Sequence, residues 1–232
     1  MKKQISLLFY SLTALPNVLA HETEVSMLQK LPNPLFILGI GVIFCLAFLC
    51  FVLFKKNWKN HDKKILFWSF AVLVSTVTIY FLLYTLLVNF TSETNGPVHW
   101  HADFEIWVCG QRQTVPHSTG ISGRDGTPLL HHHNDDRIHI EGTIINTEDV
   151  NLGNFFAAIG GALADSYIGI PQEDGTIQYW HNEDACPDGH AGTLSLYLTR
   201  GNSVAMIPGI AEYVISPETN VPPGDQLKLV FN

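Results

Sequence analysis

Six of the eleven histidines in this 232-residue chain fall into three tight groups: His99/His101, His131/His132/His133 and His139. Neutral imidazole is a common ligand of transition metals, and carboxylates lie close to each group, at Asp103, Glu105, Asp135, Asp136 and Glu141. Three or four imidazoles with one carboxylate suit Zn(II), Cu(II) or Ni(II). They do not suit Ca or Mg, which take oxygen ligands. Met206 is the only methionine in residues 91–232, so a thioether site for Cu(I) lacks its donors. The candidate ligands are therefore His99, His101, His131, His133, His139 and Glu141, and the candidate cofactor is Zn or Cu. Asp135 and Asp136 are candidate partners of a ligand histidine, although Asn134-Asp135-Asp136 is also common turn chemistry. Two other readings use the same residues: a metal-free polar network, and the wet face of a sheet.

The elements that must position these groups are strands. Residues 98–108 alternate strictly, with Val98, Trp100, Ala102, Phe104, Ile106 and Val108 apolar and His99, His101, Asp103 and Glu105 between them. A period of two describes a half-buried strand with both histidines on one face. Residues 137–141 (Arg-Ile-His-Ile-Glu) repeat the pattern and place His139 and Glu141 on one face. If the two strands are neighbours, the polar faces coincide, and His131 and His133 at the mouth of the second strand close over the same spot.

Gln111 onward can return as a hairpin partner before Pro116. Residues 151–159 form the best helix candidate, capped by Asp149 or Asn151 and ended by Gly160-Gly161. Residues 176–180, 194–199 and 226–231 read as further strands. The fold class expected for residues 91–232 is α+β, a β-rich domain with one central helix, compatible with a β-grasp type.

The first ninety residues have another character. Met1-Lys2-Lys3, an apolar run and Val18-Leu19-Ala20 read as a signal peptide over 1–20, with 21–34 a short extracytoplasmic segment. His21 would then begin the mature chain, where an amine and an imidazole can chelate copper. Residues 35–54 and 65–90 contain no Asp, Glu, Lys, Arg or His. Each can cross a bilayer core of about 30 Å as a helix. The loop at 55–64 between them carries five Lys, and the positive-inside rule puts it in the cytoplasm. Residues 35–90 thus form a transmembrane hairpin with both ends facing outward. Uncharged spans offer no proton path or ion pore, and Gly39 and Gly41 read as helix-packing positions.

Mean hydropathy of +0.16 with 15% charged residues excludes a disordered or collagen-like chain. The net charge of −8 conceals a sharp division, with eight Lys against three acids in residues 1–90 and five basic residues against eighteen acids in 91–232. An acidic outer domain favours cations and disfavours nucleic acid. Cys109 and Cys186 both lie in that domain and can bridge in an oxidising compartment, whereas Cys45 and Cys50 lie in the first span. The spacing fits no CxxC redox or zinc motif, and no nucleophile elbow or phosphate loop is present.

As a set, His99-Trp100-His101-Ala102, Pro116 with Gly120-Ile121, Leu130-His131-His132-His133 with Asp135, Ile138-His139-Ile140-Glu141 and Leu152-Gly153-Asn154-Phe155-Phe156 carry a resemblance. They are similar to an uncharacterised family of membrane-anchored extracytoplasmic bacterial and archaeal proteins with HxHA and LHTHD…IHxE motifs. The resemblance covers residues 97–160 and implies a shared site at His99, His101, His131, His133 and His139, without an activity. His132 stands where the family has Thr. His99-x-His101-x3-Glu105 is also similar to a cupin motif, but Gly110 arrives early; His131-x-His133-x-Asp135 resembles a metallo-β-lactamase block, but Asp136 replaces its next His.

The expected protein is multi-pass in the cell (inner) membrane, with its C-terminal domain in the periplasm or at the cell surface. Its partners are the lipid bilayer and a divalent metal ion, held for capture or sensing, and not nucleic acid. The alternatives are a metal-dependent envelope enzyme with Glu105 or Glu141 as general base, and a metal-free module that binds a protein.

Overall fold

A computed structural model describes residues 30–116, 123–215 and 224–232. The expected signal peptide, His21, His117 and the Gly120-Ile121 pair lie outside these residues. The chain is mixed α+β and divides into two compact units between Thr91 and Ser92.

The first unit holds α1 (Pro34–Phe54) and α2 (Asn60–Thr91). At 1.5 Å per residue they reach about 31 and 48 Å, enough to cross a bilayer core. Asn33 caps α1, its side chain accepting from the Leu35 N–H at 2.8 Å. The apolar side chains of both helices are mostly exposed, as lipid-facing surfaces would be. At Gly41 the helices touch, because a Cβ there would stand 3.2 Å from Val77; a Cβ at Gly39 would meet nothing within 4 Å among the described residues. The Lys-rich loop is shorter than the expected 55–64. Residues 60–64 already belong to α2, where Asp62 in the first turn suits the positive helix end and pairs with Lys55 at 2.8 Å.

In the second unit β1 (Pro97–Val108) is the organising strand. Its alternation is realised: Trp100, Ala102, Phe104, Ile106 and Val108 are buried, and the polar residues between them are not. The other strands are β2 (Gln111–Gln113), β3 (Asp125–Gly126), β4 (Leu130–His132), β5 (Arg137–Thr143), β6 (Ala162–Ala164), β7 (Tyr167–Pro171), β8 (Ile177–His181), β9 (Leu194–Arg200), β10 (Ser203–Ile207) and β11 (Asp225–Phe231). The main sheet runs β10-β9-β11-β1-β5-β4-β3, with β2 paired to β1. β1 and β11 pair in parallel, and β1 and β5 antiparallel.

Helix α3 (Leu152–Ala158) supplies Leu152, Phe155 and Phe156 to the core against one face of this sheet, with Phe155 edge-on to Phe104 at 5.4 Å. Of the two expected caps it uses Asn151, which accepts from the Asn154 N–H at 2.7 Å. Because β1 turns its apolar residues to that core, its other face is left polar. Cys109 and Cys186 form a disulfide with Cα atoms 5.6 Å apart. Strands β3, β4, β6, β7 and β10 were not legible as strands: the first two are only two and three residues long, and β10 is exposed from Ser203 to Met206, so burial imposes no alternation on it.

Candidate functional site

The register of three neighbouring strands builds the site. On β1 and β5, His101 lies opposite His139, and on β4 and β5, His131 lies opposite His139. Directly opposed residues of antiparallel strands share a face, so His101, His139 and His131 form one row across the sheet. His99 opposite Glu141 forms the next row. His133, just beyond β4, closes over the row with its ring 4.8 Å from that of His139 and 4.9 Å from that of His131. The structure thus brings together all six candidate ligands. Two groups of three have ligand atoms within 4.8 Å of one another, His99/His101/His139 and His131/His133/His139.

The ring nitrogens divide into two kinds. One kind is held by an oxygen: His139 Nε2 lies 2.9 Å from Asp135 Oδ2, His133 Nδ1 lies 2.8 Å from the Gly123 carbonyl, and His99 Nε2 lies 3.1 Å from Glu141 Oε1. The other kind, within the cluster, is buried without a hydrogen-bond partner among the described residues: His101 Nδ1, His139 Nδ1 and both nitrogens of His131. An orphaned buried polar group costs about 1–3 kcal/mol, so such groups are rare unless something else satisfies them. Metal-bound histidines characteristically give their second ring nitrogen to a carboxylate or backbone carbonyl, as His139 and His133 do here.

Electrostatics favours the neutral rings that metals require. Burial pushes the His131 pKa down to about 4, and burial with the neighbouring His139 and His99 lowers that of His101. For Asp135, partial burial opposes ionisation, but the hydrogen bond and charge of His139 together with the backbone N–H groups of His133 and Asp135 outweigh it and hold the carboxyl below its ordinary value. At neutral pH His131 and His101 are then uncharged imidazoles, and Asp135 beside them is ionised, as metal coordination requires.

Several neighbours are drawn elsewhere. Asp103 binds Arg137 at 2.6 Å, Asp136 binds Arg112 at 2.7 Å, and Glu105 accepts from the Trp107 Nε1–H at 2.7 Å. Of the two acids considered as a general base, Glu141 alone stands beside the cluster. His132 points to the opposite side, buried edge-on against Phe104 and Phe155 with Nε2 3.7 Å from Asp125 Oδ2. His181 ends β8 and His190 lies in a loop, both exposed and near Asp184 and Asp188 respectively.

Two positioning features lay beyond sequence reading. The β3–β4 hairpin places Gly126 opposite His131, and a Cβ on Gly126 would meet the Leu130 carbonyl oxygen at 2.4 Å and His131 Cα at 2.9 Å. Only glycine lets β3 approach so closely at a φ of +121°. The second feature is the Gly123 carbonyl, a backbone group that no side-chain pattern announces. No protein family, curated protein or solved structure matches the chain.

Proposed function

We propose that this protein is a multi-pass inner-membrane protein whose C-terminal domain, in the periplasm or at the cell surface, binds Zn(II) or Cu(II) for capture or sensing. One observation carries the metal reading. Five histidine rings converge on one sheet face, four of their nitrogens are buried without a hydrogen-bond partner among the described residues, and the second nitrogens of His139 and His133 are braced by Asp135 and the Gly123 carbonyl. A coordinated ion satisfies one nitrogen of each ring, for which the described residues supply no hydrogen bond. Borderline-soft, nitrogen-rich donors support Zn(II) or Cu(II), and the excess of acidic residues in 91–232 supports cation capture.

The orientation rests on the lysines at 55, 56, 59, 63 and 64, and the Cys109–Cys186 disulfide supports an oxidising compartment for the second unit. The order β5-β1-β11-β9 with a parallel central pair, and α3 lying in sequence between β5 and β9, supports a β-grasp type for the outer domain.

The test is elemental analysis of the purified full chain in detergent, followed by thermal unfolding in chelator and after adding Zn(II) or Cu(II). Bound metal and a raised Tm are expected. A chain isolated without metal, whose Tm neither ion raises, refutes the reading.

A further inference from the structure

The five histidines are not arranged around one point. Ring contacts run in a chain: His99 to His101 at 4.5 Å, His101 to His139 at 4.7 Å, His139 to His133 at 4.8 Å, and His133 to His131 at 4.9 Å. His139 on the central strand therefore stands between two pairs, His99/His101 from β1 and His131/His133 from the end of β4. These strands are two inter-strand spacings apart, about 9.5 Å. The midline that a single central ion would occupy is filled by an imidazole ring.

Glu141 occupies the next row along β5, and its two oxygens face different pairs. Oε1 lies 3.1 Å from His99 Nε2, and Oε2 lies 3.9 Å from His131 Nε2. A carboxylate that offers one oxygen to each of two nitrogen-rich sites is placed to bridge two ions. His139 Nε2 is committed to Asp135, so only Nδ1 remains, and one nitrogen lone pair serves one ion.

We infer that the cluster is a two-ion centre: His99/His101 hold one divalent transition-metal ion, His131/His133 hold a second, Glu141 bridges them, and His139 Nδ1 completes one of the two. The inference rests on the metal-binding reading above. The two sites are unequal. His131 is fully buried, while His99 is 60% exposed along its side chain, so the His99/His101 ion is the one open to solvent and to an exchangeable ligand.

The experiment loads the full chain in detergent with Cu(II), removes unbound ion, and measures ions per chain together with the electron paramagnetic resonance spectrum. Two ions per chain and a spin-coupled signal are expected. The double variant His99→Ala/His101→Ala is expected to keep one ion with an uncoupled spectrum, and Glu141→Gln to weaken the second ion by about tenfold or more. One ion per chain, lost equally on removing either histidine pair, overturns the two-ion centre and leaves the metal-binding reading intact. No bound ion at all overturns both. Circular dichroism of each variant in chelator separates lost ligands from lost fold.

Discussion

Replacing His131 by Leu inverts the usual consequence of altering a buried residue. His131 is 0% exposed, its ring stacks on His139 at 5.5 Å, and neither of its nitrogens has a hydrogen-bond partner among the described residues. Each unsatisfied buried nitrogen costs about 1–3 kcal/mol, so the wild-type domain stripped of metal carries about 2–6 kcal/mol of uncompensated desolvation at this one residue. Leucine of similar volume removes both nitrogens, and imperfect fit of a branched chain in a ring-shaped space returns about 1–3 kcal/mol. The metal-free variant is therefore expected to be more stable than the metal-free wild type by about 1–3 kcal/mol. With metal the order reverses, because free ion at a thousandfold its Kd stabilises the wild type by about 4.1 kcal/mol and the variant has lost a ligand. The assay is urea unfolding of both full chains in detergent, in chelator and in excess Zn(II), with the second unit followed by near-ultraviolet circular dichroism. A variant less stable than wild type by more than about 1 kcal/mol in chelator would mean that His131 is held by structural hydrogen bonds, and the central argument would fail.

Further expectations follow from the same geometry. Gly126→Ala should destabilise the domain by about 1–3 kcal/mol and weaken metal binding, because its Cβ would collide with the Leu130 carbonyl and displace His131; unchanged Tm and affinity in a metal titration would contradict this. Mutating Cys109 and Cys186 together to Ala frees a loop of 77 residues, and the chain-entropy relation puts the loss near 4.5 kcal/mol, measurable by urea unfolding. In chelator, a folded-state pKa near 4 for His131, below the unfolded value of about 6.5, means that the unfolded chain binds the extra proton. The stabilisation is fully present above pH 6.5 and is lost as pH falls through 4, by up to about 3 kcal/mol; His131→Leu should flatten that part of the profile. Metal retention should weaken towards pH 5 as the imidazoles protonate, which dialysis followed by elemental analysis reads directly.

What the sequence made legible follows the strength of its periodic constraints. β1 buries one face completely, so its alternation of Trp100 to Val108 against His99 to Glu105 had to be written in the residues, and β5 repeats it with Ile138 and Ile140. From those two strands alone, the sharing of one face by His99, His101, His139 and Glu141 was readable. The contribution of β4 was not, because three residues carry no period. His131, His132 and His133 are chemically identical, and only the pairing of His131 with His139 sends the outer two to the cluster and His132 into the core beside Phe155.

Asp135 and Asp136 divide for a similar reason. Asn134 and Asp136 adopt left-handed backbone conformations, at φ values of 61° and 53°, that turn the chain between β4 and β5. That turn carries Asp135 back over His139 and leaves Asp136 to Arg112. The composition of the turn was therefore serving both roles weighed for it. The same residues that reverse the chain place the carboxylate that engages Nε2 of His139 and leaves Nδ1 as its unengaged nitrogen among the described residues. Moving that carboxylate by one position would leave the turn chemistry unchanged and remove the brace from His139. The site thus depends on the register of a tight turn as much as on the number of its histidines.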